Sequence, residues 1–410
     1  MDTPAPVART SPRRRLRRTP PRHAKGSLYD ILRRHPRTSL FVRPICWTDQ
    51  HSRLLGVRFN KLPPCDSPVP IHTGTSSPSK GQLYPSTAII RLSGSLSDVN
   101  ARHSPQKAAN AIDIIVKTLW PAVFGETDMF PDLSIFFGDR VYREAARAQT
   151  MWSDPAHKKP MACFISKFQL AAMRRNIFRV TFGPNRSFNE PVTRLQRARS
   201  RMLMPSDPDH DVQIAAIFLA MAQAHFYPKP TGSSKRDSPW HKGPGKPSRP
   251  RFRDLTLRVI TSNKEVAADG SMSADASAAE FTVYTGHVTA RFLERFHEPQ
   301  NSPQDDGEDG LRIDYTRVPI WPILGLKERM GLALGRDLVG DFDPTVMEQW
   351  GEDEVPSSGE ERKREILSEV FKASFDETTD EEPRVNAIKN MKKVKKRRIG
   401  ESSSVGVVAT

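Results

Sequence analysis

Three carboxylates stand at the heads of apolar runs, where a hydrolytic metal site would want them. They are Asp132 before LSIFF, Asp254 before LTLRV, and Glu280 opening EFTVYTGHV. Carboxylates projecting from neighbouring strand ends can hold a divalent cation, which acidifies a bound water and directs it at a phosphodiester. The same residues also read as ordinary turn or capping carboxylates, the commoner role for an acid beside a strand. Other catalytic templates fail. GPGKPS, with Gly243, Gly245, Lys246 and Ser248, lacks the Gly-x-x-x-x-Gly-Lys-Ser/Thr spacing of a phosphate loop, and its two prolines remove amide donors. No Gly-x-Ser-x-Gly elbow, paired-histidine motif or kinase signature occurs. His225 falls in the most apolar helical run, where a satisfied core imidazole is expected. No cofactor and no resident metal is expected, and no catalytic residue is assigned beyond the three carboxylates.

At Pro131-Asp132 and at Asp254 the chain resembles the restriction-endonuclease-like PD-(D/E)XK superfamily. The next strand of that superfamily carries Glu-x-Lys or Asp-x-Lys, whereas this one offers Glu280 followed by Thr282. The lysine is missing, so the resemblance implies a divergent or degenerate nuclease-like domain.

A different chemistry is written in the charge. The net charge is +16 and the pI about 9.9, enough to attract polyanions such as DNA or RNA. Between Asp341 and Glu382 lie 15 acidic and 4 basic residues, a net of -11 that leaves +27 on the rest of the chain. Such asymmetry between segments marks nucleic-acid-associated proteins with charged tails. Lys389, Lys392, Lys393, Lys395, Lys396, Arg397 and Arg398 form a basic cluster of the kind that nuclear import receptors and phosphates both read. Arg13, Arg14, Arg15, Arg17 and Arg18 stand among prolines in a basic arm. Arg194, Arg197 and Arg201 share one helical face of PVTRLQRARSRML and could follow a phosphate backbone. The alternative there is a solvated face, with Leu195, Ala198 and Met202 packed inward. No zinc-finger spacing, zipper heptad or RNA-recognition strand motif reads bases. Ser358 and Glu361 make a capping box for a helix over 360–375, along which Ile366, Leu367, Val370, Phe371 and Phe375 line one face to dock a protein partner. Ser or Thr precedes Pro at Ser11, Thr19, Ser67, Ser77, Ser104, Ser238 and Ser302, where phosphorylation would reduce the positive charge.

These residues need a scaffold to position them. In 410 residues, 35 Pro, 37% hydrophobic content and a mean hydropathy of -0.56 argue for one core between disordered arms. The three cysteines, Cys46, Cys65 and Cys163, assemble neither a disulfide framework nor a Cys-x-x-Cys zinc site, which favours a reducing compartment. No run approaches the roughly 18 apolar residues of a membrane span. The N-terminal region lacks the apolar centre of a secretory signal, and its prolines spoil a mitochondrial presequence helix. The nucleus is the expected location, the cytoplasm the alternative.

The pattern predicts a basic arm over 1–26 and partly ordered elements with a Pro/Ser loop over 27–85. An α+β core follows over 86–340, broken by loops near 228–250 and 298–310, then an acidic tail over 341–383 and a basic tail over 384–410. SLYDILRRH reads as a helix, SLFVRPICW and RLLGVRFNKL as strands. In the core, STAIIRLSGSL reads as a strand and Ser104-Pro105 as the start of a helix with Ile112, Ile115, Val116 and Leu119 on its apolar stripe. RVYREAARAQT and KFQLAAMRRN read as helices and IFRVTF as a strand. VQIAAIFLAMAQAHFY, apolar on nearly every face, reads as an enclosed helix. RDLTLRVITSN, EFTVYTGHV and LRIDYTRVPIW read as strands, TARFLERFH and GLKERMGLALGRDLVG as helices. The alternation is too irregular for a doubly wound fold, so α+β is expected, a single mixed core of a sheet packed with helices. Over about 209–336, the order of these runs resembles a lineage-specific group of filamentous-fungal proteins. The resemblance implies an intracellular protein and carries over no functional residue. Together these readings describe a non-enzymatic nuclear accessory or regulatory protein, with a nuclease-like domain and a cytoplasmic interaction scaffold as alternatives.

Overall fold

The computed structural model describes residues 23–66, 87–99, 104–179, 189–229, 237–239, 249–263, 279–302, 310–323 and 325–341. Helices α1 (Leu28–Arg34) and α2 (Asp49–Leu55) flank a 3-10 turn at Pro44–Cys46 and lead into strand β1 (Arg58–Lys61). Helices α3 (Thr87–Val99) and α4 (Pro105–Leu119) follow, then strands β2 (Glu126–Met129), β3 (Asp132–Phe137), β4 (Arg140–Arg147), β5 (Thr150–Ser153) and β6 (Pro160–Phe164). Next come helices α5 (Lys167–Ile177), α6 (Glu190–Met202) and α7 (Val212–Gln223), and strands β7 (Asp237–Pro239), β8 (Leu255–Asn263) and β9 (Glu280–Val288). Helix α8 (Ala290–His297), strand β10 (Arg312–Pro319) and helices α9 (Leu326–Leu334) and α10 (Arg336–Val339) complete the described elements.

The fold is α+β. Among the described residues a mixed seven-stranded sheet has the order β1-β10-β9-β8-β6-β5-β2, and β3-β4-β7 form a second, antiparallel sheet. Among the described strands, β1 with β10 and β6 with β8 pair in parallel and the other pairs are antiparallel. One face of the large sheet is covered by α3, α4 and α9, through residues such as Leu96, Ile112 and Met330 against Phe164, Ile260 and Phe281. On the other face lies α7, with the small sheet beyond it. That sandwich explains the helix's sequence: all twelve residues are buried because protein covers it on every side. Each of Ile214, Ile217, Phe218 and Leu219 contributes about 1.5–3 kcal/mol by leaving water. Central strand β9 is likewise covered on both faces, so its burial does not alternate. Gly286 is required there, because a Cβ would sit 2.6 Å from the Phe218 ring. Gln223 ties α7 to the small sheet, its amide donating to Phe136 O and accepting from Phe136 N, both at 2.8 Å.

Several expectations need correcting. STAIIRLSGSL is helical, because Leu92, Leu96 and Val99 bury one face at helical spacing against α4 while Ile90 stays exposed. RVYREAARAQT is mostly strand β4. The two-residue Gly138-Asp139 turn, with Gly138 at φ 60°, folds it onto β3, and that pairing overrides its helix propensity. SLFVRPICW holds turns and the 3-10 segment rather than a strand, its Pro44 starting that turn. RLLGVRFNKL divides into the end of α2 and β1 at Gly56, a left-handed C-cap at φ 72°. Ile177 of IFRVTF still belongs to α5, and residues 180–182 lie outside the described set. The closing helix breaks at Gly335 into α9 and α10. Residues 28–61 also join the core, with Trp47 and Leu55 buried and β1 on the sheet edge. The helix start at Ser104 is as expected, its hydroxyl accepting from Lys107 N.

Three histidines give this core a pH dependence. His51 accepts from Thr48 N at 3.0 Å through Nδ1 and donates through Nε2 to Ser39 O at 3.2 Å, a neutral tautomer assigned from its partners. Burial lowers its pKa, as it does those of His225 and His297. A depressed histidine binds its proton more readily in the unfolded chain, so stability is lost as pH falls from about 6.5 toward the folded-state values. Burial alone would raise the pKa of Asp209, but Lys167 and Arg317 hold it below the usual range, and its contribution survives until more acidic pH. The melting temperature is therefore expected to fall between pH 7.5 and 5.5. His297→Gln, whose amide oxygen can still accept from the Tyr227 hydroxyl, should flatten part of that slope in a thermal scan.

Candidate functional site

The three candidate carboxylates do not meet. Asp132 begins β3 in the small sheet, opposite Arg147, and lines a 760 Å³ cleft with Glu126, Asp128, Lys158, Lys159 and Lys229. Asp254 lies just before β8 and accepts a hydrogen bond from Ala290 N at 2.7 Å, capping the first turn of α8. Glu280 begins β9, but β8 and β9 are antiparallel, with Leu255 opposite Val288 and Asn263 opposite Glu280. The starts of the two strands therefore lie at opposite ends of the pair, about 25 Å apart at the ordinary strand rise. Glu280 instead approaches Arg317 at 3.5 Å. Strand-start carboxylates converge in parallel strands, and this pairing separates them. Among the described residues no group of three His, Cys, Asp or Glu is placed to hold a metal ion. GPGKPS lies outside the described residues.

The described arginines of α6 form a different arrangement. The helix is capped by Asn189, whose side chain accepts from Val192 N, and carries Pro191 in its first turn. It packs on α5 through its polar side: Ser200 is buried, and Thr193, Gln196 and Leu203 are half-buried at i, i+3, i+7 and i+10 spacing. Arg194, Arg197 and Arg201 run along one flank of that contact, all exposed. Leu195, Ala198 and Met202 point away from it, with Leu195 51% and Met202 77% exposed. This corrects the expectation that they pack inward. At 1.5 Å per residue the stripe from Arg194 to Arg201 spans about 10 Å, roughly three steps of a nucleic-acid strand. Arg194 pairs with Glu190 at 2.6 Å; Arg197, Arg199 and Arg201 have no ion pair among the described residues. Arg175 and Arg179, at the end of α5, extend the exposed charge, and the Arg175 guanidinium lies 5.7 Å from the centroid of the Phe168 ring.

A buried ion pair holds this platform. Arg174, on the inner face of α5, donates to both oxygens of Asp211 at 2.6 and 2.5 Å, and through Nε to Ile45 O at 3.3 Å. Asp211 also accepts from Gln213 N as the N-cap of α7. One carboxylate thus joins α5, on which α6 rests, to the central helix. Sequence reasoning missed this pair. Its available signal was the i, i+4 spacing of Leu170 and Arg174 on one side of α5 and an acid at the cap of the apolar helix.

Arg13, Arg14, Arg15, Arg17 and Arg18, the cluster from Lys389 to Arg398, and Ile366, Leu367, Val370, Phe371 and Phe375 lie outside the described residues. No described helix is long and apolar enough to cross a membrane. No protein-family model and no curated protein sequence matches the chain.

Proposed function

We propose that this protein is a non-enzymatic nuclear accessory or regulatory factor that associates with DNA or RNA through charge. The outward stripe of Arg194, Arg197 and Arg201 on α6, with Arg197 and Arg201 unpaired among the described residues, carries the reading. Guanidinium groups held at helical spacing on a rigid element neutralise consecutive phosphates and release their counterions. The basic segments over 13–18 and 389–398 add charge and an address for an import receptor. The acidic segment, in which Ile366, Leu367, Val370, Phe371 and Phe375 recur at helical spacing in the sequence, recruits a protein partner.

Binding of the full chain to a DNA duplex and to single-stranded RNA at 50, 100 and 200 mM salt tests the first half. Affinity is expected to fall steeply as salt rises. A fluorescent fusion of the intact chain beside one truncated before Lys389 tests the second, with loss of nuclear signal expected on truncation. Absence of salt-dependent binding together with a cytoplasmic intact fusion would overturn the proposal in favour of a cytoplasmic interaction scaffold.

A further inference from the structure

We infer that the protein also binds a small apolar monocarboxylate, in the cavity between segment 40–47 and the β3–β4 hairpin. This cavity measures about 460 Å³, within the 300–1,000 Å³ or so of small-molecule sites. Its aromatic walls are Phe41, Trp47, Phe137, Tyr142 and Phe296. Phe137 meets Phe41 and Phe296 edge-on, at 78° and 83°. Phe41 is 51% and Val42 42% exposed at this site, an apolar surface that an occupant would remove from water.

The polar groups select the ligand's head. Arg43 and Arg143 are the charged residues among the described residues of the lining, and Arg43 is the one that meets the ligand's head. Arg43 is exposed and makes no ion pair among the described residues. Trp47 is buried at 3% exposure with its indole nitrogen enclosed by protein, so it contributes apolar wall rather than a donor to the cavity. A carboxylate supplies a charge for the Arg43 guanidinium, while its apolar body takes the aromatic walls. A phosphate chain would leave those walls uncovered.

The backbone around the cavity is shaped to present this set. Between Leu133 and Ile135 the pairing of β3 with β4 shifts, from Leu133 opposite Ala146 to Ile135 opposite Tyr142. Extra residues in β4 therefore bulge, with Glu144 at φ 49° among them, and the flanking Arg143 and Ala145 enter the cavity lining. A non-glycine residue in that conformation persists only where its surroundings impose it, and such residues concentrate at ligand sites. Across the cavity, the His51 Nε2 bond to Ser39 O anchors the segment that carries Phe41 and Arg43.

Isothermal titration calorimetry on the full chain, with decanoate and 2-naphthoate against the corresponding neutral alcohols, tests the site. The carboxylates are expected to bind about tenfold tighter than the alcohols at low salt. Arg43→Gln should erase that preference, and Ala145→Leu should abolish binding by filling the space. Should Ala145→Leu fail to fold, Phe41→Ala removes a half-exposed wall and should weaken both ligand types. Equal affinity for acid and alcohol, binding retained in folded Ala145→Leu, or no binding of either probe would each overturn the inference. Saturating the protein with nucleic acid should leave carboxylate affinity unchanged, because the cavity and the α6 stripe share no residue; competition would overturn the assignment to this cavity.

Discussion

Arg174→Met is expected to destabilise the protein by about 3–5 kcal/mol, read as a fall of roughly 10 °C in melting temperature. The reason is the carboxylate left behind rather than the bond removed. Arg174 and Asp211 side chains are only 2% and 5% exposed, and the guanidinium covers both carboxylate oxygens. Without it, Asp211 keeps one backbone donor, Gln213 N, for a charge enclosed by protein. Methionine preserves most of the apolar stem, so packing changes little. Asp211→Asn should cost a comparable amount by stranding the guanidinium, while its side-chain oxygen can still cap α7. The double variant Arg174→Met/Asp211→Asn should recover part of the sum, since neither charge is then buried alone. A loss below about 1 kcal/mol in Arg174→Met would mean that water reaches the pair.

Changing Arg194, Arg197 and Arg201 together to Ala should weaken nucleic-acid binding by at least about tenfold at 0.1 M salt. The slope of log affinity against log salt should become shallower by about 2 to 3, one counterion set for each phosphate contact removed. Stability should hardly change, because all three side chains are exposed and Arg194 has only the exposed Glu190 as partner. Leu195→Ser with Met202→Ser changes the apolar stripe beside them and should leave the salt slope intact. An unchanged slope in the triple variant would move the contact to the basic segments over 13–18 and 389–398.

Elements whose periodicity agrees with their environment were legible from residues alone. Ser104-Pro105 starts α4, and Ile112, Ile115, Val116 and Leu119 face the core. The helix starting after Asp211 is enclosed, and RDLTLRVITSN, EFTVYTGHV and TARFLERFH form β8, β9 and α8. Where local preference and tertiary pairing disagree, pairing prevails. STAIIRLSGSL carries strand-favouring residues but buries Leu92, Leu96 and Val99 against α4 as a helix, and RVYREAARAQT carries helix formers but is drawn into the β3–β4 hairpin.

Composition and order along the chain therefore determined the charge asymmetry, the basic stripe of α6 and the α+β class, because these depend on residue identity and short-range periodicity. Tertiary structure decided which side of α6 packs inward and whether strand-start acids meet. It also decided where Phe41, Trp47 and Phe296 come together around a cavity. Those outcomes depend on contacts between residues far apart in sequence and on whether paired strands run parallel or antiparallel. An acid before a strand looks the same in either pairing; only the antiparallel β8–β9 register separates Asp254 from Glu280 by the full length of the strands.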